Sequence, residues 1–479
     1  MESSLSENEY REQRIVNLRR LGELGYQPFG QAYQRSGRLS EIREGFEENK
    51  KVCIAGRLVT KRKMGKSLFA HVQDGSDRFQ IYIKKNKIGD DAFAAFKVLD
   101  VGDHIGVEGE LFTTKTGEPT LKVTEWVLLS KSLLPLPEKW HGLQDVETRY
   151  RQRYLDLIAN PEVRDLFNKR IETIKKIRNF LVDRGFCEVE TPMIQSLAGG
   201  AAAQPFKTHY EALNTDMYLR IAPELYLKKL LVGGFDKVFE LNRNFRNEGL
   251  SRSHNPEFTM LEIYEAYGDR QSMMKLVQDL ILDIAQSVFG TLKVGSEENP
   301  VDLSQPWREV PYKDLIKEVT GEDWYDLNME AAQAKAKSLG IETDSAWNFV
   351  ELTQEVFEKL IEKTLINPTF VTRLPVELVP LAKQCEDDSS LVDVFELIVG
   401  GREIAPAYTE LNNPLEQRKR FEEQAAGNPS KIDEDFLMAL EYGMPPAGGM
   451  GIGIDRLIMV LSGAEAIRDV ILFPQLKPL

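Results

Sequence analysis

Cysteine is scarce in this chain. Cys53, Cys187 and Cys385 are the only three in 479 residues, too far apart for a disulfide framework or a zinc-binding spacing. A reducing cytoplasm is the expected home. No stretch approaches the roughly 18 uninterrupted apolar residues that a bilayer span needs, so no membrane partner is expected. The opening MESSLSENEYREQR is polar and charged, without the apolar core of a secretory signal. Internal repeats and low-complexity tracts are lacking too.

The remaining composition is that of a globular protein. Hydrophobic residues make up 42% and charged residues 28%, which argues against disorder, collagen or a coiled coil. The length allows about three folding units. A net charge of −14 disfavours a nucleic-acid partner at first sight, but the distribution matters more than the sum. Residues 1–66 hold 14 Lys/Arg against nine Glu, and the rest of the chain 47 basic against 66 acidic residues. A basic front on an acidic body suits a polyanion at one end and a cationic or metal-bound group at the other. A solvated amphipathic helix around Arg11–Arg20 accounts for the same charges.

Residues 1–50 read as a helical extension, with Ile15, Leu18, Leu21 and Leu24 at helical spacing. From 51 to 135 the period changes to two. VCIAGRLV, SLFAHVQD, RFQIYI, HIGVEGELF and LKVTEWVLL are five short strands, with a helical segment near Asp90–Val98 before the fourth. That order suggests a barrel of the OB type, whose second and third strands form an oligonucleotide-binding face. Alternation points Leu68, Ala70, Val72, Phe79, Ile81 and Ile83 inward and leaves Phe69, His71, Gln80 and Tyr82 outside. An outward aromatic beside an amide suits unstacked bases, although single exposed aromatics are common.

Residues 136–160 read as a charged, proline-containing linker. Asn160-Pro161-Glu162 is a helix start, followed by Val163, Leu166, Phe167, Ile171, Ile174, Ile177 and Leu181 at helical spacing. The region 161–479 mixes strands and helices without βαβ alternation, which predicts an α+β domain: an antiparallel sheet with flanking helices. A helix-rich insertion is expected around 270–390.

Three segments carry chemistry. KVFELNRNFRNEG and PEFTMLEIYEAY both alternate. Glu240, Asn242, Asn244, Arg246 and Glu248 share a face of the first; Phe258, Met260, Glu262 and Tyr264 share a face of the second, with Leu261 and Ile263 opposite. As a hairpin they present an arginine able to grip phosphate bidentately, carboxylates, and a ring able to stack on a purine. In LVDVFELIVGGREIAPAYTELNNP, Gly400-Gly401 is a two-residue hairpin signal. Pairing outward sets Val399 opposite Arg402, Ile398 opposite Glu403 and Glu396 opposite Ala405. Glu396 and Glu403 then become diagonal neighbours that need cations between them, and Mg²⁺ shared with phosphates fits. Glu410 would join that face only through a bulge, for which Pro406 is the expected place. The third segment, GGMGIGIDRLIMVL, lets backbone pass close to a ligand and sets Arg456 near a helix start. Its glycine spacing is not that of a dinucleotide site.

Together these motifs resemble the class II aminoacyl-tRNA synthetases. FRNEGLSRSHNPEFTMLEIYEAY and GMGIGIDRLIMVL look like the second and third signature motifs, and GFCEVETPMI like the first, which lies at a homodimer interface. RQRYLDLI, YLRIAPELYLKKL, HNPEFTMLE and REIAPAYTELNNP narrow the resemblance to the lysyl-tRNA synthetases. The resemblance implies that ATP, L-lysine and tRNA(Lys) are the substrates, and that the barrel binds the anticodon through Phe69, Gln80 and Glu125. It implies that Arg246 holds the ATP α-phosphate and the lysine carboxylate, that Phe258 and Arg456 sandwich adenine, and that Glu248, His254 and Asn255 complete the ATP site. Arg246, Glu248 and Arg456 would be the catalytic set. Glu396 and Glu403 would carry Mg²⁺, more than one ion per subunit. Gly200 and Glu224 would hold the lysine backbone, and Glu262, Tyr264, Glu403 and Glu410 would complete the lysine site.

That pocket agrees with its chemistry. A desolvated ammonium ion needs carboxylates, each worth roughly 4 kcal/mol at about 4 Å and an effective dielectric of about 20, whereas an aspartate-specific relative needs a cation. Four departures stand out: Pro406 for Asn, Gln204 for Arg, Ser253 for Arg and Tyr408 for Phe, the last a mild change. Rival readings are an aspartyl- or asparaginyl-type enzyme on the same fold, a lysine ligase acting on protein, and a non-catalytic nucleic-acid-binding paralogue.

Overall fold

The computed structural model describes residues 7–30, 32–137, 143–425, 428 and 432–478. It divides into two compact units, residues 1–144 and 145–479. Part of the expected linker, 138–142, lies outside the described residues. Residues 145–160, also read as linker, form two short helices, Val146–Arg151 and Arg153–Ala159, and belong to the second unit.

In the first unit, β1 (Lys51–Met64), β2 (Ser67–Gln73), β3 (Arg78–Lys84), β4 (His104–Thr113) and β5 (Pro119–Ser130) close a barrel in the order β1-β2-β3-β5-β4. Only the β3–β5 pairing is parallel. The period-two residues Leu68, Ala70, Val72, Phe79, Ile81 and Ile83 are all buried inside it, as alternation requires. Helix Glu7–Glu23 precedes the barrel. It is not wholly solvated: Arg14 is buried and donates to the carbonyls of Val101, Ser132 and Leu134.

The second unit is built on an eight-stranded sheet. Its strands are β6 (Cys187–Glu188), β7 (Lys237–Phe245), β8 (Glu257–Ala266), β9 (Arg308–Pro311), β10 (Thr369–Thr372), β11 (Val394–Ile398), β12 (Glu403–Thr409) and β13 (Ala447–Gly453). They lie in the order β9-β10-β11-β12-β13-β8-β7-β6. The sheet is antiparallel except at its edges, where β6 joins β7 and β9 joins β10 in parallel.

One face of this sheet is apolar. Phe239, Leu241, Leu261, Ile263, Phe395, Leu397, Ala405, Ala407, Met450 and Ile452 form a core with helices Pro161–Val182, Arg270–Ile284 and Ile454–Ser462. The expected insertion at 270–390 is less separate than its helix content implied. Helix Arg270–Ile284 packs in the main core, and β9 and β10 extend the main sheet. Residues between those two strands contribute to a second core around Trp324, Tyr312, Leu352 and Phe357.

The other face carries the polar residues. Register sets Glu240 opposite Glu262, Asn242 opposite Met260, Asn244 opposite Phe258 and Val238 opposite Tyr264. These pairs share one side because directly opposed residues point the same way.

Candidate active site

The β11–β12 hairpin turns at Gly400 and Gly401, with φ of +62° and +67°, a conformation that favours glycine. Ile398 pairs with Glu403 as expected, but Leu397 pairs with Ala405 and Glu396 with Pro406. The extra residue is Ile404, so the bulge lies there and not at Pro406, and Glu396 faces Pro406 and not Ala405. The physical reason is burial: Ile404 and Ala405 both turn into the apolar core. The slip places Glu396, Glu403, Pro406 and Tyr408 on the polar side, and the chain continues to Glu410.

Two adjoining cavities open on that side. The smaller, about 150 Å³, is lined by Arg246, Glu248, His254, Asn255, Phe258 and Arg456, among others. The Arg246 guanidinium lies 5.1 Å from the Phe258 ring centre, and its buried Nε has no hydrogen-bond partner. Arg456 follows Asp455 at the start of helix Ile454–Ser462. Its Nη1 donates to the Glu403 carbonyl at 3.1 Å and its Nη2 to His254 Nε2 at 3.0 Å. Burial, reinforced by Arg456, lowers the His254 pKa, which keeps that nitrogen an acceptor. Asn255 is spent on backbone groups, the Glu257 carbonyl and the Gln475 N–H.

The larger cavity, about 750 Å³, shares His254, Glu403 and Arg456 with the first. It adds Glu396 and two carboxylates that sequence reasoning missed, Glu358 and Glu362. Glu362 accepts the Glu403 backbone N–H at 3.0 Å. Burial and the charges of Glu403, Glu362 and Glu358 raise the Glu396 pKa well above the carboxylate range. Among the described residues, no three such side chains converge into a ready metal cage. Two carboxylates opening on a cavity nevertheless fit Mg²⁺, which is commonly held by one or two carboxylates plus substrate phosphates.

Beyond Tyr264 the same face carries a buried acidic cluster of Glu224, Glu262, Tyr264, Tyr408 and Glu410. Tyr264 donates to Glu262 at 3.1 Å. Burial, with Glu224 adding to it, pushes Glu262 up to about 8. A side chain at Gly449 would place its Cβ 1.8 Å from Glu410 Oε1 and 2.5 Å from the Tyr264 ring, so any other residue there would displace one of them. Gly200, at φ +85°, lies against Glu224. Tyr408 is not the mild change expected, since its hydroxyl sits 3.1 Å from both Glu224 oxygens. Lys228, hidden within the apolar run ELYLKKLL, was not singled out from sequence. It pairs with Glu224 at 2.7 Å and Glu410 at 2.5 Å.

Two other residues fall elsewhere. Glu240 is taken up structurally by Arg220 and Thr191, each at 2.6 Å. On the barrel, Phe69, Gln80, Tyr82 and His71 line one groove with Arg62, Arg78 and Lys115. Glu125 is not among the groove residues; it pairs with Glu108 on β4 and interacts with Tyr33. The carboxylate beside Gln80 belongs to Glu118, at 2.5 Å, in the turn before β5 where no strand periodicity flags it.

Residues 145–477 match the family model described as tRNA synthetases class II (D, K and N), and residues 52–129 match that of the OB-fold nucleic acid binding domain. A lysine–tRNA ligase of Carboxydothermus hydrogenoformans is 52% identical, covering 98% of both chains. One from Syntrophomonas wolfei is 50% identical over 100% of this chain and 99% of its own. One from Staphylococcus epidermidis is 49% identical over 98% and 99%.

Proposed function

The chain belongs to the class II tRNA synthetases of the D, K and N group, and we propose that it is a lysine-specific member, a lysine–tRNA ligase. It condenses L-lysine with ATP to lysyl-adenylate and pyrophosphate, then transfers lysine to the 3′ end of tRNA(Lys). The observation that carries the lysine assignment is the acidic balance of the buried pocket. Three carboxyl groups, Glu224, Glu262 and Glu410, stand around one buried lysine, Lys228, which two of them already engage, while Arg220 and Arg246 act on Glu262. A substrate ammonium is welcome there and a substrate carboxylate is repelled, which disfavours the aspartate-type reading.

The reaction needs no side-chain nucleophile, because the lysine carboxylate itself attacks the α-phosphorus in line. Positioning and charge neutralisation then supply most of the rate. Arg246, with its unpartnered Nε, bridges the α-phosphate and the substrate carboxylate while Phe258 stacks on adenine. Arg456, oriented by the Glu403 carbonyl and His254, closes over the nucleotide. Glu248, His254 and Asn255 line its site. Gly200 and Glu224 receive the amino-acid backbone, and Glu262, Tyr264 and Glu410 the side chain. Glu396 and Glu403 would hold Mg²⁺, which when bound neutralises the polyphosphate.

The barrel groove with Phe69, Gln80 and Glu118 suits unpaired anticodon bases. A homodimer is supported by Ile194, in the segment resembling the first signature motif, and by Ile171 and Val182 on the helix before it, apolar side chains more than half exposed. A cytoplasmic home agrees with these substrates; among the described residues no helix is long and apolar enough to cross a membrane.

ATP–pyrophosphate exchange driven by lysine, compared with aspartate, asparagine and ornithine, tests the assignment. Lysine-dependent exchange is expected, and exchange with aspartate but not lysine overturns it.

A further inference from the structure

Lys228 is the one charged group of the acidic pocket to which the reaction gives no task. It is fully buried. It sits four residues after Glu224 on helix Glu224–Val232, the spacing that brings two side chains together on one helical face. Its Nζ meets Glu224 Oε1 at 2.7 Å and Glu410 Oε2 at 2.5 Å. Each carboxylate thus gives Lys228 one oxygen and turns the other elsewhere. Glu224 Oε2 faces Gly200, 3.8 Å from where a Cβ would stand there. Glu410 Oε1 faces Gly449 and the Tyr264 ring, and it is buried without a hydrogen-bond partner. A buried acceptor left unsatisfied is costly, so this oxygen is reserved for a donor that arrives with the ligand.

We propose that Lys228 is a positioning residue that sets substrate length: it ties the acceptor of the α-amino group, Glu224, to the acceptor of the side-chain ammonium, Glu410, at one fixed spacing. This rests on the reading of the pocket given above. A diamino acid carries two ammonium groups whose separation is fixed by the number of methylenes between them. A receptor that holds both by carboxylates on flexible glutamate stems measures that number only if the two carboxylates cannot drift toward each other. Rotamer changes would allow the drift; a shared, buried cation removes it. Tyr408 steadies Glu224 alone, so Lys228 is the link between the two acceptors. Its charge survives burial because the two acids outweigh the desolvation and raise its pKa. It also offsets the repulsion between the two acids it joins.

The test is ATP–pyrophosphate exchange with lysine and with ornithine, its homologue one methylene shorter, for the unaltered enzyme, Lys228→Met and Lys228→Arg. Lysine-dependent exchange by the unaltered enzyme is the check on the reading itself; its absence sinks that reading before any variant is compared. Given that exchange, Lys228→Met is expected to raise the lysine KM about tenfold while the ATP KM stays within about twofold. The preference for lysine over ornithine, of the size one methylene allows, should fall about tenfold toward parity. Lys228→Arg, which keeps a cation but alters its reach, should fall between. An unchanged lysine-to-ornithine ratio in a folded Lys228→Met enzyme, with only its melting temperature lowered, overturns the proposal. If Lys228→Met does not fold, Lys228→Arg decides by the same ratio, and no change there overturns the proposal equally.

Discussion

Arg170 and Asp455 meet at 2.6 Å, both largely buried, and through them the long helix Pro161–Val182 holds the start of the helix that carries Arg456. The other Asp455 oxygen accepts the Thr259 backbone N–H at 2.7 Å, and Arg170 also donates to the Thr259 hydroxyl at 3.1 Å. One carboxylate therefore joins the long helix to the two segments that resemble the second and third signature motifs. Arg170→Met strands Asp455 as an uncompensated buried charge, which typically costs about 3–5 kcal/mol. Urea unfolding of the second unit should show that loss.

Gly449→Ala is expected to close the amino-acid pocket without touching the nucleotide cavity. The added methyl would fall on Glu410 Oε1 and the Tyr264 ring, and misplacing either by about 1 Å can cost about a hundredfold. Exchange kinetics should show a fall of that order in kcat/KM for lysine, while ATP affinity by calorimetry stays within about twofold.

Stability should depend on pH through Glu262. Its folded pKa is raised to about 8 by burial first and by Glu224 second, from an ordinary 4.5. Between those values the unfolded chain has released this proton and the folded chain still holds it, so raising the pH favours unfolding. Above about 8 the loss is complete. Glu262→Gln removes this contribution, and its stability relative to the unaltered chain should climb from about pH 5 to about pH 8, by at most about 1.4 kcal/mol per pH unit. Urea midpoints across that range measure it; parallel curves would speak against the burial of a neutral carboxyl.

Removal of divalent metal should abolish exchange, and Mg²⁺ should restore it. Glu396→Gln takes an ionisable ligand from the cluster with Glu403, Glu362 and Glu358, and the half-saturating Mg²⁺ concentration is expected to rise at least about tenfold. The lysine KM should move much less, because that pocket lies beyond Tyr264.

Phe69→Ala is expected to weaken tRNA without altering exchange. Loss of one base–aromatic stack costs about 1–3 kcal/mol, and the tRNA KM in aminoacylation reads it directly.

Much of this architecture follows from spacing. Period two placed the barrel core and the polar face of β7 and β8, because alternation is what a strand does. Gly400-Gly401 marked a hairpin because both residues take positive φ. Spacing fails where a side chain's neighbour is set by tertiary contact. Lys228 and Lys229 stand side by side in one apolar run, yet one is fully buried among acids and the other reaches the surface toward Asp435. Glu358 and Glu362 enter the phosphate-side cavity from a distant helical segment with no local mark of chemistry. The bulge at Ile404 was anticipated in kind but misplaced, because the pull of the apolar core on two successive residues is invisible along the chain.

That bulge is the one extra residue by which the hairpin departs from simple alternation. The hairpin's polar side carries Glu403, which we assign to the nucleotide, and Tyr408 followed by Glu410, which we assign to the amino acid. Deleting Ile404 would restore simple alternation and still leave Glu403, Pro406 and Tyr408 on one side, because the odd separation of Glu403 from the other two would become even. A single-codon loss there would cost the core one buried apolar side chain while every polar group of the strand kept its facing.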